Sequence, residues 1–266
     1  LAICEDHDGH LWIGTRNGLV KLNLLNGQMQ TYQAGQGISR IIYTIFTSHD
    51  GRVWVGSDAG LSVYDTENDT FVNFRGGQSV VVLPNGKRTE MGWYSVKSIV
   101  EDYDGNLYIG TWDSGLLRFS PSENLFYSYP KLNERNSAYS LLLDSKQRLW
   151  VGTWGFGFLR IDNPLEVNDL HINSYNRGEG SFDTFYSIIE DPITQTIWAA
   201  TREGIVITSM DGDLTNAKIY STYNDGIQQL RFCNNILTDK HGNVWIETLN
   251  DGIVHFNTQT SPFSSW

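Results

Sequence analysis

One stretch, Leu11-Trp12-Ile13-Gly14-Thr15-Arg16-Asn17-Gly18-Leu19, returns along the chain and limits what the chain can fold into. It recurs as Val53-Trp54-Val55-Gly56-Ser57 with Gly60-Leu61, as Leu107-Tyr108-Ile109-Gly110-Thr111 with Gly115-Leu116, and as Leu149-Trp150-Val151-Gly152-Thr153 with Gly157-Phe158. Two weaker copies follow, Ile197-Trp198-Ala199-Ala200-Thr201 with Gly204-Ile205 and Val244-Trp245-Ile246-Glu247-Thr248 with Gly252-Ile253. The aromatic residue falls at Trp12, Trp54, Tyr108, Trp150, Trp198 and Trp245, so the spacings are 42, 54, 42, 48 and 47. A period of this size marks an array of like supersecondary units, each unable to bury its apolar face alone.

Each repeat resolves into four short strands, in the first copy Leu1–Glu5, His10–Thr15, Leu19–Asn23 and Gln28–Gln33. Strand one carries adjacent apolar pairs such as Ile45-Phe46, Ile99-Val100, Leu141-Leu142, Ile188-Ile189 and Ile236-Leu237. A continuous apolar run predicts burial on both faces, as in the innermost strand of a blade. Asp8-Gly9, Asp50-Gly51, Asp104-Gly105 and His241-Gly242 supply left-handed turn positions between strands one and two. Four strands per repeat with a recurrent Trp and Gly predict an all-β fold, a β-propeller of four-stranded blades. The six blades fall at about 1–42, 43–93, 94–137, 138–184, 185–231 and 232–266. The last copy ends at a fourth-strand position, Pro262–Trp266, with no spare strand to close a ring. The expectation is therefore a processed or excised segment of a longer array rather than a self-sufficient ring.

Aromatic residues make up 13% of the chain and charged ones 18%, which predicts a packed core rather than disorder. No apolar run is long enough to insert this segment directly into a membrane. The net charge of −11 disfavours nucleic acid and anionic membrane as partners. Cys4 and Cys233 lie in apolar strand patterns and read as small buried hydrophobes. If the ring closed at six blades, their register would be offset by roughly 13 Å, too far for a disulfide. No cofactor is expected. Asp6-x-Asp8-Gly9 and Asp102-x-Asp104-Gly105-Asn106 lack the distal glutamate of a calcium loop, so they read as turns and no metal site is expected.

The pattern I-x-E-D-x-x-G-x-L-W-I-G-T-x-x-G-L resembles the two-component regulator propeller repeat. Ile3-Cys4-Glu5-Asp6-His7-Asp8-Gly9-His10-Leu11-Trp12-Ile13-Gly14-Thr15 and the run from Ser98 to Thr111 match it closely, and the likeness weakens at Ala200 and Glu247. The resemblance implies the periplasmic sensor domain of hybrid two-component proteins in gut Bacteroidetes. Such proteins carry two seven-bladed propellers, a small β-sandwich, a membrane helix and a histidine kinase. A second propeller and a C-terminal β-sandwich of the same parent chain are then implied as partners, as is a homodimer.

The loops joining strands two to three, and strand four to the next blade, share one face, conventionally the ligand face. Arg16, Arg40, Arg75, Arg177, Arg202 and Arg231 fall there, while most carboxylates fall on the opposite turns. The two-to-three loops of copies three and four are one residue longer than those of copies one and two and begin with Trp112 and Trp154, so two indoles are expected side by side. Asp113 follows the first, and Phe156 lies on the second loop. The connection from Phe74 to Tyr94 contains a hairpin, Val80-Val81-Val82-Leu83 turning at Pro84-Asn85-Gly86, and ends near Trp93. Tyr43, Tyr139 and Tyr186 occupy one slot of the repeat near the channel mouth, with Lys97 and Asn234 as equivalents.

Aromatic faces with Asn, Asp and Arg nearby suit an oligosaccharide, whose C–H faces pack on indole while polar groups bind hydroxyls. The leading expectation is a non-catalytic sensor that binds a glycan fragment through Trp112, Trp154, Trp93, Phe156, the three tyrosines, Arg16, Arg202, Arg231 and Asp113. The alternatives are a protein–protein scaffold and a propeller glycosidase or lyase. The histidines fall mainly on turns and peripheral strands rather than at the channel mouth, which disfavours the enzyme.

Overall fold

The computed structural model describes residues 2–77, 79–92, 94–112, 114–129, 132, 137–175, 184–221, 230, 232–239 and 241–257. The chain forms two compact units, Leu1–Ala138 and Tyr139–Trp266. It is an all-β fold of the β-propeller type, and helix is scarce among the described residues, where a 3-10 turn covers Leu214–Asn216. The first blade orders Ala2–Glu5, His10–Thr15, Gly18–Asn23 and Met29–Tyr32 side by side, and the second orders Ile42–Thr47, Val53–Ser57, Gly60–Asp65 and Thr70–Phe74. The third contains Val96–Glu101, Leu107–Thr111, Leu116–Ser120 and Leu125–Ser128. The fourth has Ala138–Leu143, Leu149–Thr153, Phe158–Ile161 and Ile172–Tyr175, and the fifth Phe185–Asp191, Thr196–Thr201, Gly204–Ser209 and Lys218–Ser221. The sixth shows three strands among the described residues, Cys233–Thr238, Asn243–Thr248 and Gly252–Asn257.

Burial corrects the expectation for strand one. The strand buried along its whole length is the second, Val53–Ser57, Leu107–Thr111 and Leu149–Thr153 in blades two to four. In strand one the apolar pairs are split: Ile45, Ile99, Leu141, Ile188 and Ile236 are enclosed, Phe46, Val100, Leu142 and Ile189 are half-buried, and Leu237 is exposed. Strand one lies at the edge of each sheet, whereas strand two is paired on both sides and packed on both faces. Trp12, Trp54, Tyr108, Trp150 and Trp198 are buried there as the repeat predicts. Trp245 departs from this: it is 43% exposed and rests on the His255 ring at 4.0 Å.

The small residue of the repeat is a hole for its neighbour. A Cβ added at Gly14 would stand 2.6 Å from Ile42 Cγ2, and one at Gly56 would stand 2.5 Å from Val96 Cγ1. One at Gly152 would stand 2.6 Å from Phe185 Cβ. Ile42, Val96 and Phe185 each open strand one of the following blade and are buried, so each acts as a knob in the preceding glycine hole. Where Ala200 fills the hole in blade five, the knob position holds the smaller Cys233, and both are fully buried in one cluster. Burial pushes the Cys233 thiol up to about 12, so it behaves as an inert apolar group. Cys4 and Cys233 are both free thiols.

The polar letters of the repeat are spent on backbone. The Asp6 carboxylate accepts from the Asp8 and His10 N–H groups and, at 2.7 Å, from Trp12 Nε1. Asp144 takes Lys146 N, Arg148 N and Trp150 Nε1 in the same way, and Ser48 Oγ accepts from Trp54 Nε1. The aspartate thus closes the turn and anchors the buried indole with one side chain. The preceding glutamate reaches the turn of the blade before it: Glu101 Oε2 accepts from His49 N at 2.8 Å, and Glu190 from Ser145 N and Oγ. In every blade the Thr or Ser after the hole donates to the glycine carbonyl that opens strand three, from Thr15 to Gly18 through Thr248 to Gly252. That glycine has no alternative at Gly18, where φ is +99° and a Cβ would collide with the Tyr32 carbonyl.

These carboxylates give stability a pH dependence. Burial pushes Asp6 up, but hydrogen bonds from the His10 backbone, the Trp12 indole and the His10 ring outweigh it and hold the group below the usual range. Asp50 is likewise pushed up by burial and drawn down further by Arg52 and Ser48, to about 2. A depressed folded-state pKa stabilises above the unfolded value of about 4 and loses that contribution as pH falls through the folded value. The thermal midpoint should therefore hold above about pH 5 and fall between about pH 4 and 2. A midpoint flat across that interval would remove these aspartates from the stability account.

The predicted hairpin forms as Val80–Val82 and Arg88–Glu90, but it serves the third blade rather than standing over a loop face. Val80–Val82 pairs in parallel with Leu125–Ser128, Val81 opposite Phe126, and extends that sheet to six strands. The open backbone groups of an outer strand attract such an addition. Val81 and Met91 are buried against the Phe119–Phe126 core, while Arg88, Thr89 and Glu90 leave an exposed polar edge.

Candidate functional site

At the end of the sheet that carries the two-to-three loop, strand one bulges. The register slips between Ile42 and Thr44, Val96 and Ser98, Phe185 and Ser187, and Cys233 and Asn235. The unpaired extra residues are Tyr43, Lys97, Tyr186 and Asn234, the slot in which the repeats differ. A bulge sets two successive side chains in different directions. The first becomes the buried knob, and the second is left half-buried. Tyr139 holds this slot in blade four and is also half-buried.

In the second unit the slot residues meet the long loop. Tyr139, Trp154 and Tyr186 form a closed aromatic triad, with ring centroids 5.5 Å apart for Tyr139–Trp154 and 5.8 Å for each contact of Tyr186. Tyr186 stands edge-on to both others at 84°. Trp154 is 38% exposed and Phe156, on the same loop, 45%. The loop is fixed from below: Thr153 Oγ1 donates to Gly157 O and accepts from Phe156 N, and Trp154 bridges to Thr184. Burial pushes the Tyr186 phenol up against the pull of the Arg202 guanidinium, so the hydroxyl stays neutral and can donate. Arg202 lies 5.3 Å over Phe232.

The first unit uses the slot differently. Lys97 Nζ sits 3.1 Å above the Tyr43 ring and 5.4 Å from Trp112, which is 37% exposed. An ammonium held against two aromatic faces is a cation–π arrangement, and a sugar seeking those faces would have to compete with it. The sequence placed Lys97 in the slot but carried no signal that it would cover its neighbour. Arg16 is exposed on its loop. Trp93, Asp113 and Arg231 lie outside the described residues.

Asp6, Asp8 and His10 bring three potential ligand atoms within 4.8 Å. The Asp6 oxygens are already engaged by two backbone N–H groups, the His10 ring and the Trp12 indole, which accounts for the cluster as a turn. His49 and His255 are likewise held structurally, on Glu101 and Trp245.

Comparison with known proteins matches the two component regulator propeller family at residues 1–17, 91–113 and 134–155. No curated protein matches the chain. Among solved structures, the extracellular domain of a hybrid two component system from B. thetaiotaomicron is 17% identical with a TM-score of 0.56, over 99% of this chain and 41% of that one. PorZ, a surface component of the type-IX secretion system of Porphyromonas gingivalis, is 17% identical with a TM-score of 0.67, over 96% of this chain and 38% of that one. Virginiamycin B lyase from Staphylococcus aureus is 15% identical with a TM-score of 0.64, over 98% and 85%. The chain thus spans about two-fifths of the first two proteins, and at these identities the likeness is one of fold.

Proposed function

We infer that this chain, which carries two-component regulator propeller repeats, is a non-catalytic sensor segment that works outside the cytoplasm, in the periplasm of a Bacteroidetes cell. Its ligand is an oligosaccharide or glycan fragment, and its output reaches a histidine kinase through a second propeller, a β-sandwich or a homodimer contact of the parent protein. For the event to signal, the ligand must bind one arrangement of the parent better than another.

The observation that carries the glycan reading is the Tyr139–Trp154–Tyr186 triad, raised by bulge and loop and left part-exposed beside Phe156. Fixed aromatic faces beside neutral hydroxyls match the alternating C–H and O–H surface of a sugar. Thermal-shift screening of an oligosaccharide panel should find a ligand whose affinity falls about tenfold in Trp154→Ala, with little loss of stability. Silence across the panel, or equal affinity in the variant, overturns this reading.

A further inference from the structure

A cleft of about 460 Å³ lies wholly within the first unit, between the connection that joins blades one and two and the end of blade two. Ala34, Gly35, Gly37, Arg40, Asn73 and Arg75 line it. Its volume falls in the range of small-molecule sites.

The connection is shaped by its own backbone. Gly35 and Gly37 adopt φ of +94° and +82°, Gly35 N donates to Ile38 O, and Gln36 N donates to Gln33 O. Asn73 ties this loop to blade two: its Nδ2 donates to Gly37 O at 3.0 Å, and its Oδ1 accepts from Ser62 Oγ at 2.8 Å and from Arg75 Nη2 at 3.3 Å. Arg75 is therefore held in place by a neutral amide. Arg40 is anchored through its carbonyl, which accepts from Gly18 N at 2.7 Å, and its side chain is exposed.

Among the described residues, neither guanidinium has a carboxylate partner, in a chain with eleven more acidic than basic charges. The nearby carboxylate, Asp58, is taken up by Ser39 Oγ at 2.6 Å and the Ile41 N–H at 3.3 Å. Arg52 and Arg148, by contrast, are neutralised by Asp50 and Asp144.

We propose that the Arg40–Arg75 cleft binds the oxyanion group, carboxylate or sulfate, of a small ligand. Two guanidinium forks present donors suited to such a group, and charge-assisted bonds to it are the strong kind. The site is independent of the aromatic triad, so either reading can fail without the other.

The test is calorimetric titration of the whole chain at low ionic strength with glucuronate, glucose and inorganic sulfate, repeated on Arg40→Gln and on the Arg40→Gln/Arg75→Gln double variant. Glucuronate, sulfate or both should bind, glucose should not, and the double variant should weaken anion binding by about tenfold or more. Binding of glucuronate alone identifies a carboxylate carried on a larger body, and binding of sulfate alone identifies a free oxyanion. Arg40 is exposed, so its single variant should keep the parent thermal midpoint and still lose affinity. Glucose binding as well as glucuronate, anion binding unchanged in both variants, or neither anion binding would each overturn the proposal.

Discussion

Trp150→Ala should destabilise the second unit by about 3–5 kcal/mol, the cost of emptying a large buried aromatic site. The same change at Trp245 should cost less than about half of that, because a part-exposed side chain has less area to return to water. Trp150 is fully buried, packs on Phe158 at 5.3 Å and donates its indole N–H to Asp144 at 2.9 Å. Its removal leaves a cavity between blades four and five and takes a donor from a buried carboxylate, which adds to the loss. Trp245 holds the equivalent place in the repeat but is 43% exposed. Both lie in the unit Tyr139–Trp266, so denaturant unfolding of that unit compares them directly. Equal losses at the two sites would show that repeat position, rather than burial, sets the energetic role of the tryptophan.

Gly56→Ala should cost about 1–3 kcal/mol, the usual penalty for overpacking a closed site. The new methyl would stand 2.5 Å from both Thr44 Cγ2 and Val96 Cγ1, well inside van der Waals contact. Val96→Ala removes one of these two opposing methyls, leaving Thr44 Cγ2, and should rescue part of the loss, so the two changes should be coupled by more than about 0.5 kcal/mol. Blade five already carries the compensated form, Ala200 with Cys233. A neutral Gly56→Ala, or a double variant whose cost is the sum of the singles, would mean that the seam is loose enough to relax and that the glycine has another role.

Much of the repeat was legible because its bonds are local. Asp6 serves Asp8, His10 and Trp12, and Thr15 serves Gly18, all within six residues, so the spacing of residue types already implies the geometry. Candidate site residues were legible only as exceptions. Aligning the copies isolates Tyr43, Lys97, Tyr139, Tyr186 and Asn234 as one variable slot. Nothing in that alignment reveals that the slot is a bulge, or that Lys97 settles on Tyr43 while Tyr139 and Tyr186 close around Trp154. The Arg40–Arg75 cleft was legible only as two arginines on one set of loops, since the bond that draws the Gly35–Gly37 connection onto blade two, from Asn73 Nδ2 to Gly37 O, joins residues far apart in the chain.

By itself the sequence determined the all-β class, the four-strand repeat, the turn glycines and the hairpin at Val80–Val82 and Arg88–Glu90. Those features depend on contacts made within a repeat, where alternation and turn chemistry act directly on the chain. The tertiary structure decided which strand is enclosed, that the glycine is a hole for a knob, that the hairpin joins Leu125–Ser128, and that Trp245 stays part-exposed. Each of these depends on a partner tens of residues away, as with His49 and Glu101 or Ser140 and Phe185. A repeat read alone presents the same pattern whether or not that partner arrives, so only packing could settle them.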